Sequence, residues 1–67
     1  MIAITVNGEQ REVPVDLTLD RLLTHLAIDP RMVVVEHNRV IVRRARLAEV
    51  PVGAGDEIEI VQFVGGG

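Results

Sequence analysis

The residues of this chain best suited to chemistry are Gly65, Gly66 and Gly67. Residues without a Cβ atom pack against little, so we expect an extended, flexible tail that a narrow channel in another protein accepts. A carboxylate is a poor electrophile, but its attack on the α-phosphate of a nucleotide gives an acyl adenylate with a good leaving group. A sulfur nucleophile then converts the same carbon to a thiocarboxylate. The simpler alternative is a frayed end or a leftover linker.

The rest of the chain offers few catalytic groups. Its 67 residues include no Cys, Ser, Lys, Trp or Tyr, which excludes disulfides, cysteine-ligated zinc, cysteine or serine nucleophiles and lysine Schiff bases. A chain of this length buries only about 60% of the surface of its unfolded state, which leaves no room for a deep pocket. We expect no catalytic residue and no metal site, so every catalytic group for the tail chemistry must come from a partner protein.

Charge and hydropathy narrow the classes of partner. The net charge is −3, and the seven basic residues are spread along the chain. Nucleic-acid binding needs a basic face and stacking aromatic residues, so we expect none. The apolar runs are far shorter than the roughly 20 residues of a membrane span, and no basic leader follows Met1. We expect a soluble, cytoplasmic protein that is monomeric when free.

The first part of the chain is typical of a hairpin that leads into a helix. Residues Ile2 to Val6 alternate in polarity and predict a strand, and Asn7-Gly8 predicts a tight turn. Residues Val13 to Leu17 alternate again and predict a second strand. Pro14 places that strand at a sheet edge, because proline has no backbone N–H to donate.

The pattern then changes to the period of a helix with one apolar stripe, formed by Leu19, Leu22, Leu23 and Leu26. Thr18 is the predicted N-cap, with its hydroxyl accepting a hydrogen bond from an otherwise unpaired amide. Pro30 ends the predicted helix by Asp29.

The remaining residues predict a second hairpin and a last strand. Residues Val33 to His37 and Val40 to Val42 form the hairpin, with a turn at Asn38-Arg39. A loop with one helical turn leads to a turn over Gly53 to Asp56, and Glu57 to Phe63 form the last strand.

These elements predict an α+β fold. A single helix covers one face of a four- or five-stranded mixed sheet, and the helical crossover brings the first and last strands together, parallel, in its centre. This is the β-grasp, or ubiquitin-like, layout. We predict a single β-grasp domain over residues 1–64 and a flexible glycine tail over residues 65–67.

The last strand places acidic and then apolar residues on the face that the helix leaves open. Glu57 and Glu59 lie at its start. The apolar residues that follow would ordinarily complete a small core. Because they lie on an uncovered face beside a glycine tail, we favour a partner-binding patch made of Val61, Phe63 and Val64.

The histidines and the other acidic residues are weaker candidates. Since the chain has no cysteine and the two histidines pair poorly, we expect His25 and His37 to be surface or boundary residues rather than metal ligands. Asp56, Glu57 and Glu59 suggest a cation site or a contact with a basic partner. A turn followed by a solvated strand explains these carboxylates more simply.

The whole chain resembles the ThiS family, the sulfur-carrier proteins of thiamine biosynthesis. The resemblance runs through Val6-Asn7-Gly8-Glu9, the Leu22-Leu23 helix, Val35 to Asn38, Ile41-Val42 and Gly55 to Val61, and it is sharpest at Phe63-Val64-Gly65-Gly66-Gly67. Arg39, where the family often has Gly, and Arg43, where Pro is frequent, are departures that concern local loop shape.

The resemblance implies a carrier and not an enzyme, with no bound cofactor. A ThiF-type adenylating enzyme would use ATP and magnesium to adenylate Gly67, and a cysteine desulfurase or rhodanese-type donor would supply the sulfur of the thiocarboxylate. Gly65 and Gly66 would thread through the active sites of the partners. A ThiG-type thiazole synthase would then receive the sulfur.

Other functions remain open from the sequence. The chain could carry sulfur for molybdopterin synthesis, tRNA thiolation or cysteine synthesis, or it could be a ubiquitin-like protein modifier. Because it has no lysine, it cannot build chains through internal isopeptide bonds, which mildly disfavours the modifier.

Overall fold

The computed structural model describes residues 1–63 of the chain. Its strands, numbered in chain order, are β1 Ile2–Val6, β2 Glu9–Val13, β3 Val33–His37, β4 Val40–Val42 and β5 Glu57–Gln62. The helix α1 covers Leu19–His25, and short 3₁₀ helices cover Pro30–Met32 and Arg44–Glu49. The predictions for Val64 and the glycine tail lie outside the described residues.

The five strands form one sheet in the order β2-β1-β5-β3-β4. The central strands β1 and β5 are parallel, with Thr5 opposite Glu57 and Val6 opposite Ile58. The other neighbouring pairs are antiparallel. The predicted β-grasp layout is therefore confirmed, because a single crossover through α1 brings the first and last strands into the centre.

The core lies between the sheet and α1. The alternation of the strands and the leucine stripe of the helix direct apolar side chains into it, and its buried members are Ile4, Val6, Val13, Leu19, Leu22, Leu23, Val35, Leu47, Val52, Ile58 and Ile60. Leu47 and Val52 come from the stretch that the sequence predicted as loop and turn. The 3₁₀ helix Arg44–Glu49 brings Leu47 into the core beside α1.

The predicted second strand is correct in its edge position but wrong in its extent. β2 starts directly after the Asn7-Gly8 turn and ends at Val13. Pro14 follows the strand, and Asp16 has a φ of 63°, which turns the chain toward α1. Val15 is consequently 51% exposed and does not continue the buried face.

The helix is shorter than predicted, because it ends at His25 and not near Asp29. Ala27 adopts a φ of 60°, and its amide donates to the carbonyl of Thr24 while the amide of Ile28 donates to the carbonyl of Leu23. This is the Schellman ending, which usually places Gly at that position.

The start of the helix also differs from the prediction in one respect. Thr18 occupies the N-cap, but its hydroxyl donates to the carboxylate of Asp20 and makes no hydrogen bond with a backbone amide. None of the helices within residues 1–63 has the length and apolar character needed to cross a membrane.

Candidate functional site

The face of the sheet opposite α1 carries an apolar patch, formed by Val34, Ile41, Val61 and Phe63. Val34 lies opposite Val61 in the β3–β5 register. Val61 is 59% exposed, Phe63 49% and Ile41 65%. As predicted, Val61 and Phe63 are not part of the core. Their role in binding a partner remains a prediction, and Val64 lies outside the described residues.

The position of Phe63 follows from a single backbone contact. Its amide donates to the carbonyl of Met32, at the end of the 3₁₀ helix Pro30–Met32, over 2.8 Å. The chain is therefore held at the edge of the apolar patch, directly before the glycine residues of the sequence.

The opposite end of the open face is acidic. Glu36 and Glu59 are directly opposite each other on β3 and β5, and Glu57 lies two residues before Glu59 on β5. The only ion pair recorded for these three among residues 1–63 joins Arg39 and Glu57 over 3.8 Å, with both side chains largely exposed. An exposed pair of this length stabilises little. The open face therefore has an acidic end and an apolar end.

A hydrogen-bond network holds the turn that leads into β5. The carboxylate of Asp56 accepts from the Gly53 amide over 2.8 Å and from Asn38 Nδ2 over 3.2 Å, and it lies 2.7 Å from His37 Nε2. Partial burial raises the pKa of Asp56. The hydrogen bonds from Gly53, His37 and Asn38 outweigh that effect and hold the pKa below its usual value.

This network explains the carboxylate of Asp56 without a cation, in agreement with the simpler interpretation of the sequence. His37 lies at the boundary of the fold, with its side chain 20% exposed, and the structure joins it to Asp56 in a contact that the sequence did not predict. His25 is exposed in the last turn of α1. Among residues 1–63, no group of three His, Cys, Asp or Glu side chains is arranged to hold a metal ion.

Asparagine side chains fasten β5 from both sides. On one side, Asn38 Oδ1 accepts from the amide of Glu57 over 2.8 Å. On the other side, Asn7 Oδ1 accepts from the amide of Ile60 over 2.7 Å, and Asn7 Nδ2 donates to the carbonyl of Ile60 over 3.1 Å. Because β1 ends at Val6, the Asn7 side chain takes the place of a further strand residue.

Sequence reasoning missed both asparagine contacts. Each asparagine is the first residue of a tight hairpin turn and has a φ of 50°. The turns themselves were predicted from Asn-Gly and Asn-Arg. Asn occupies the first position of both hairpin turns, and this repetition was the one signal in the sequence for the two contacts. The contact of Asn7 with Ile60 nevertheless spans 53 residues and depends on the strand order.

Comparison with known proteins identifies the family. The model of the ThiS family matches residues 4–67, which include both the apolar patch and the glycine tail. The chain belongs to the ThiS family. The fold agrees: a crystal structure of a thiamine biosynthesis protein (ThiS) from Geobacter metallireducens superposes with a TM-score of 0.86 at 32% identity, covering 98% of this chain and all of that one.

Curated ThiS relatives and longer proteins also match. The sulfur carrier protein ThiS of Bacillus subtilis is 42% identical over 50 residues, which are 75% of this chain and 76% of that protein. The thiazole synthases of Paramagnetospirillum magneticum and Magnetococcus marinus are 44% and 39% identical over 64 residues, or 96% of this chain. The chain spans 20% of the length of these two synthases.

Proposed function

We propose that this chain is a sulfur carrier of thiamine biosynthesis and not itself an enzyme. The observation that supports this proposal most directly is the ThiS family match, which extends through Gly67. A relative of similar length is named sulfur carrier protein ThiS. The shape of the described residues also fits a carrier, because the exposed apolar patch lies directly before the glycine residues.

The proposed chemistry takes place on the carboxylate of Gly67. One carboxylate oxygen attacks the α-phosphorus of ATP, pyrophosphate leaves, and an acyl adenylate results. The terminal sulfur of a persulfide on the donor protein then attacks the carbonyl carbon and AMP leaves, which gives an acyl disulfide. A thiol cleaves its S–S bond, forms a disulfide with the donor cysteine and releases the thiocarboxylate, so that sulfur replaces one oxygen of Gly67. The catalytic groups and the magnesium that accompanies ATP belong to the partner enzyme.

In this proposal the residues of the chain bind and present the reacting group. Gly65 and Gly66 pass through channels too narrow for side chains, because they lack a Cβ atom. Val61, Phe63 and Val64 dock on the partner and bring the tail to its active site. A charged or bulky residue in either set would hinder binding without changing the chemistry at Gly67.

We propose a cytoplasmic location for the chain and three kinds of partner. A ThiF-type enzyme adenylates Gly67, and a cysteine desulfurase or rhodanese-type protein donates the sulfur. A ThiG-type thiazole synthase accepts it. The thiazole synthase is supported by the two synthases that contain a region 44% and 39% identical to this chain.

The proposal is tested by intact-mass spectrometry. The full chain is incubated with a ThiF-type enzyme, ATP, magnesium and a sulfur donor, and we expect the mass change for replacement of one oxygen by sulfur. A variant without Gly67 should remain unmodified while its melting curve is unchanged. If the chain stays unmodified while Bacillus subtilis ThiS, with its own enzymes, is converted, the proposal is wrong.

The docking role of the apolar patch has a matched control in this chain. Phe63 and Val15 are similarly exposed, at 49% and 51%, but only Phe63 lies in the patch. We expect Phe63→Asp to weaken binding to the adenylating enzyme by about tenfold or more and Val15→Asp to leave binding unchanged. Both variants should lose less than about 0.5 kcal/mol of unfolding free energy. Equal losses of binding would rule out a specific patch.

A further inference from the structure

A groove of about 500 Å³ opens at the apolar patch and shares Val34, Ile41 and Phe63 with it. Side chains of β3 and β4 together with Phe63 form its apolar part, namely Val33, Val34, Ile41, Val42 and Phe63. Its rim carries three arginines, Arg31, Arg43 and Arg44. An apolar groove with a basic rim is unexpected in a chain whose net charge is −3.

One of the three arginines is already neutralised. Arg31 pairs with Asp29 over 2.8 Å. The hydrogen bonds from the Arg31 side chain and backbone lower the pKa of Asp29 to about 2, so that this carboxylate is ionised at neutral pH. The charges of Asp29 and Arg31 therefore cancel at the edge of the groove.

The other two arginines contribute excess positive charge. Both Arg43 and Arg44 are exposed, and neither has a carboxylate of residues 1–63 within ion-pair distance. Arg44 interacts with Asp29 only through space. The groove thus combines an apolar floor with two guanidinium groups, each of which can form bidentate hydrogen bonds with a carboxylate.

We propose that this groove binds an acidic segment of the thiazole synthase, in which an apolar side chain enters the groove and flanking carboxylates pair with Arg43 and Arg44. The proposal rests on the proposed function, which names the thiazole synthase as a partner. The apolar floor favours a protein segment over a nucleic acid, since phosphates would leave it uncovered. Val34, Ile41 and Phe63 belong to both the groove and the apolar patch, so the two surfaces overlap.

The opposite end of the open face supports one orientation of the partner. Glu57 and Glu59 give that end a negative charge, whereas Arg43 and Arg44 make the groove positive. Glu36 lies between the two, directly opposite Ile41 of the groove. A partner with an acidic segment is attracted to the groove and repelled from the far end. Such an arrangement increases the specificity and rate of association more than the affinity.

The charge part of the proposal is tested by titrating the full, unmodified chain into a ThiG-type thiazole synthase at low and high salt. We expect the double variant Arg43→Glu/Arg44→Glu to bind about tenfold more weakly or worse at low salt and to lose most of the salt dependence. The control Arg11→Glu/Arg21→Glu changes the net charge by the same amount at exposed positions outside the groove. It should bind like the parent within about threefold.

The apolar contact in the proposal is tested with two neighbouring residues of β4. Ile41 and Val40 are adjacent and equally exposed, at 65% and 64%, but they point to opposite faces and only Ile41 lines the groove. Ile41→Ser should weaken binding about tenfold and Val40→Ser should not. Melting curves of all variants show whether each one is folded.

Several results would overturn this proposal. The proposal is wrong if the two double arginine variants weaken binding to the synthase equally, or if Ile41→Ser and Val40→Ser do so. It is also wrong if the parent chain does not bind the synthase. Thiocarboxylate formation is measured separately on the same variants and should be retained in Arg43→Glu/Arg44→Glu. If the parent chain does not form the thiocarboxylate, the proposed function is wrong. The binding measurements alone then decide whether the groove binds the synthase. Loss of thiocarboxylate formation only in the arginine variant would assign the groove to the adenylating enzyme instead.

Discussion

The start of β5 is fastened by side-chain hydrogen bonds, whereas its end presents exposed apolar side chains. At the start, Asp56 and Asn38 join the turn, the β3–β4 hairpin and the strand. At the end, Val61 and Phe63 are about half exposed. We therefore expect substitutions at the first end to affect mainly stability, and we propose that the second end binds a partner. Substitutions at the two ends should therefore have different consequences.

The largest predicted difference lies within β5 itself. Ile58 is 1% exposed and Val61 is 59% exposed on the opposite face. Ile58→Ala should lower the unfolding free energy by about 3 kcal/mol, because it leaves a cavity in the core. Val61→Ala should change it by less than about 0.5 kcal/mol. Urea unfolding of both variants measures the difference, and similar losses would place Val61 in the core.

The next effect depends on pH and involves the carboxylate of Asp56. Asp56→Ala removes the acceptor for Gly53, His37 and Asn38 and should cost about 2 kcal/mol at neutral pH. Because folding lowers the pKa of Asp56 from 3.8, the carboxylate stabilises the fold above that value, and this contribution is lost as the pH falls through the lower value of the folded state.

The measurement is urea unfolding of the parent and Asp56→Ala over a series of pH values. The stability difference should be complete at about pH 5 and should narrow toward about pH 2. Glu12→Ala removes an exposed carboxylate from β2 and serves as the control. A difference between the parent and Asp56→Ala that stays constant over this range would show that the ionised form of Asp56 is not what stabilises the turn.

A smaller effect separates the two residues of the β3–β4 turn. Both Asn38 and Arg39 have positive φ, which glycine also adopts without strain. Asn38→Gly removes the contacts with Glu57 and Asp56 and should cost about 1.5 kcal/mol. Arg39→Gly removes only a weak exposed pair and relieves the backbone, so it should be neutral or slightly stabilising. Thermal unfolding distinguishes the two, and equal costs would mean that the turn needs only its backbone shape.

The smallest predicted effect is local and tests the second asparagine. Asn7→Gly removes two hydrogen bonds to Ile60 and should cost about 1 kcal/mol. In amide hydrogen exchange, the Ile60 amide should lose protection while the Glu57 amide, held by Asn38, keeps it. Gln10→Ala, an exposed change on β2, is the control. Unchanged protection of Ile60 would show that Asn7 is not what protects this amide.

Much of the fold could be predicted from local patterns. The valine-rich segment from Val33 to His37 and the turn at Asn38-Arg39 predicted β3 and β4 with their observed bounds, because β propensity and turn conformation are local properties. The parallel centre of the sheet was also predictable, since the chain offers only one crossover.

The wrong predictions for the ends of α1 and β2 also have physical reasons. The helix ends early because Ala27 adopts positive φ, and alanine gives no signal for that conformation. β2 ends at Val13 although the alternation continues, because Pro14 cannot donate and Asp16 turns the backbone. In both places the backbone conformation ends the element although the side-chain pattern continues.

Some features of the candidate site could be predicted from the sequence and others could not. The exposure of Val61 and Phe63 followed from strand alternation and from the single helix, which leaves one face open. The contacts of Asn7 and Asp56 did not follow, because they join residues that are distant in sequence. The contact of His37 with Asp56 also did not follow, because the two residues are 19 positions apart and meet only through the packing of β3 against β5.

The sequence by itself determined the glycine tail, the exclusion of cysteine and serine chemistry, and the family. These depend on which residues are present and on their order. The tertiary structure decided where charge accumulates, because Arg43 and Arg44 flank an apolar groove only after the 3₁₀ helices and the β3–β4 hairpin have packed together. A net charge of −3 is a sum over the whole chain, whereas binding depends on the charges that the fold brings to one place.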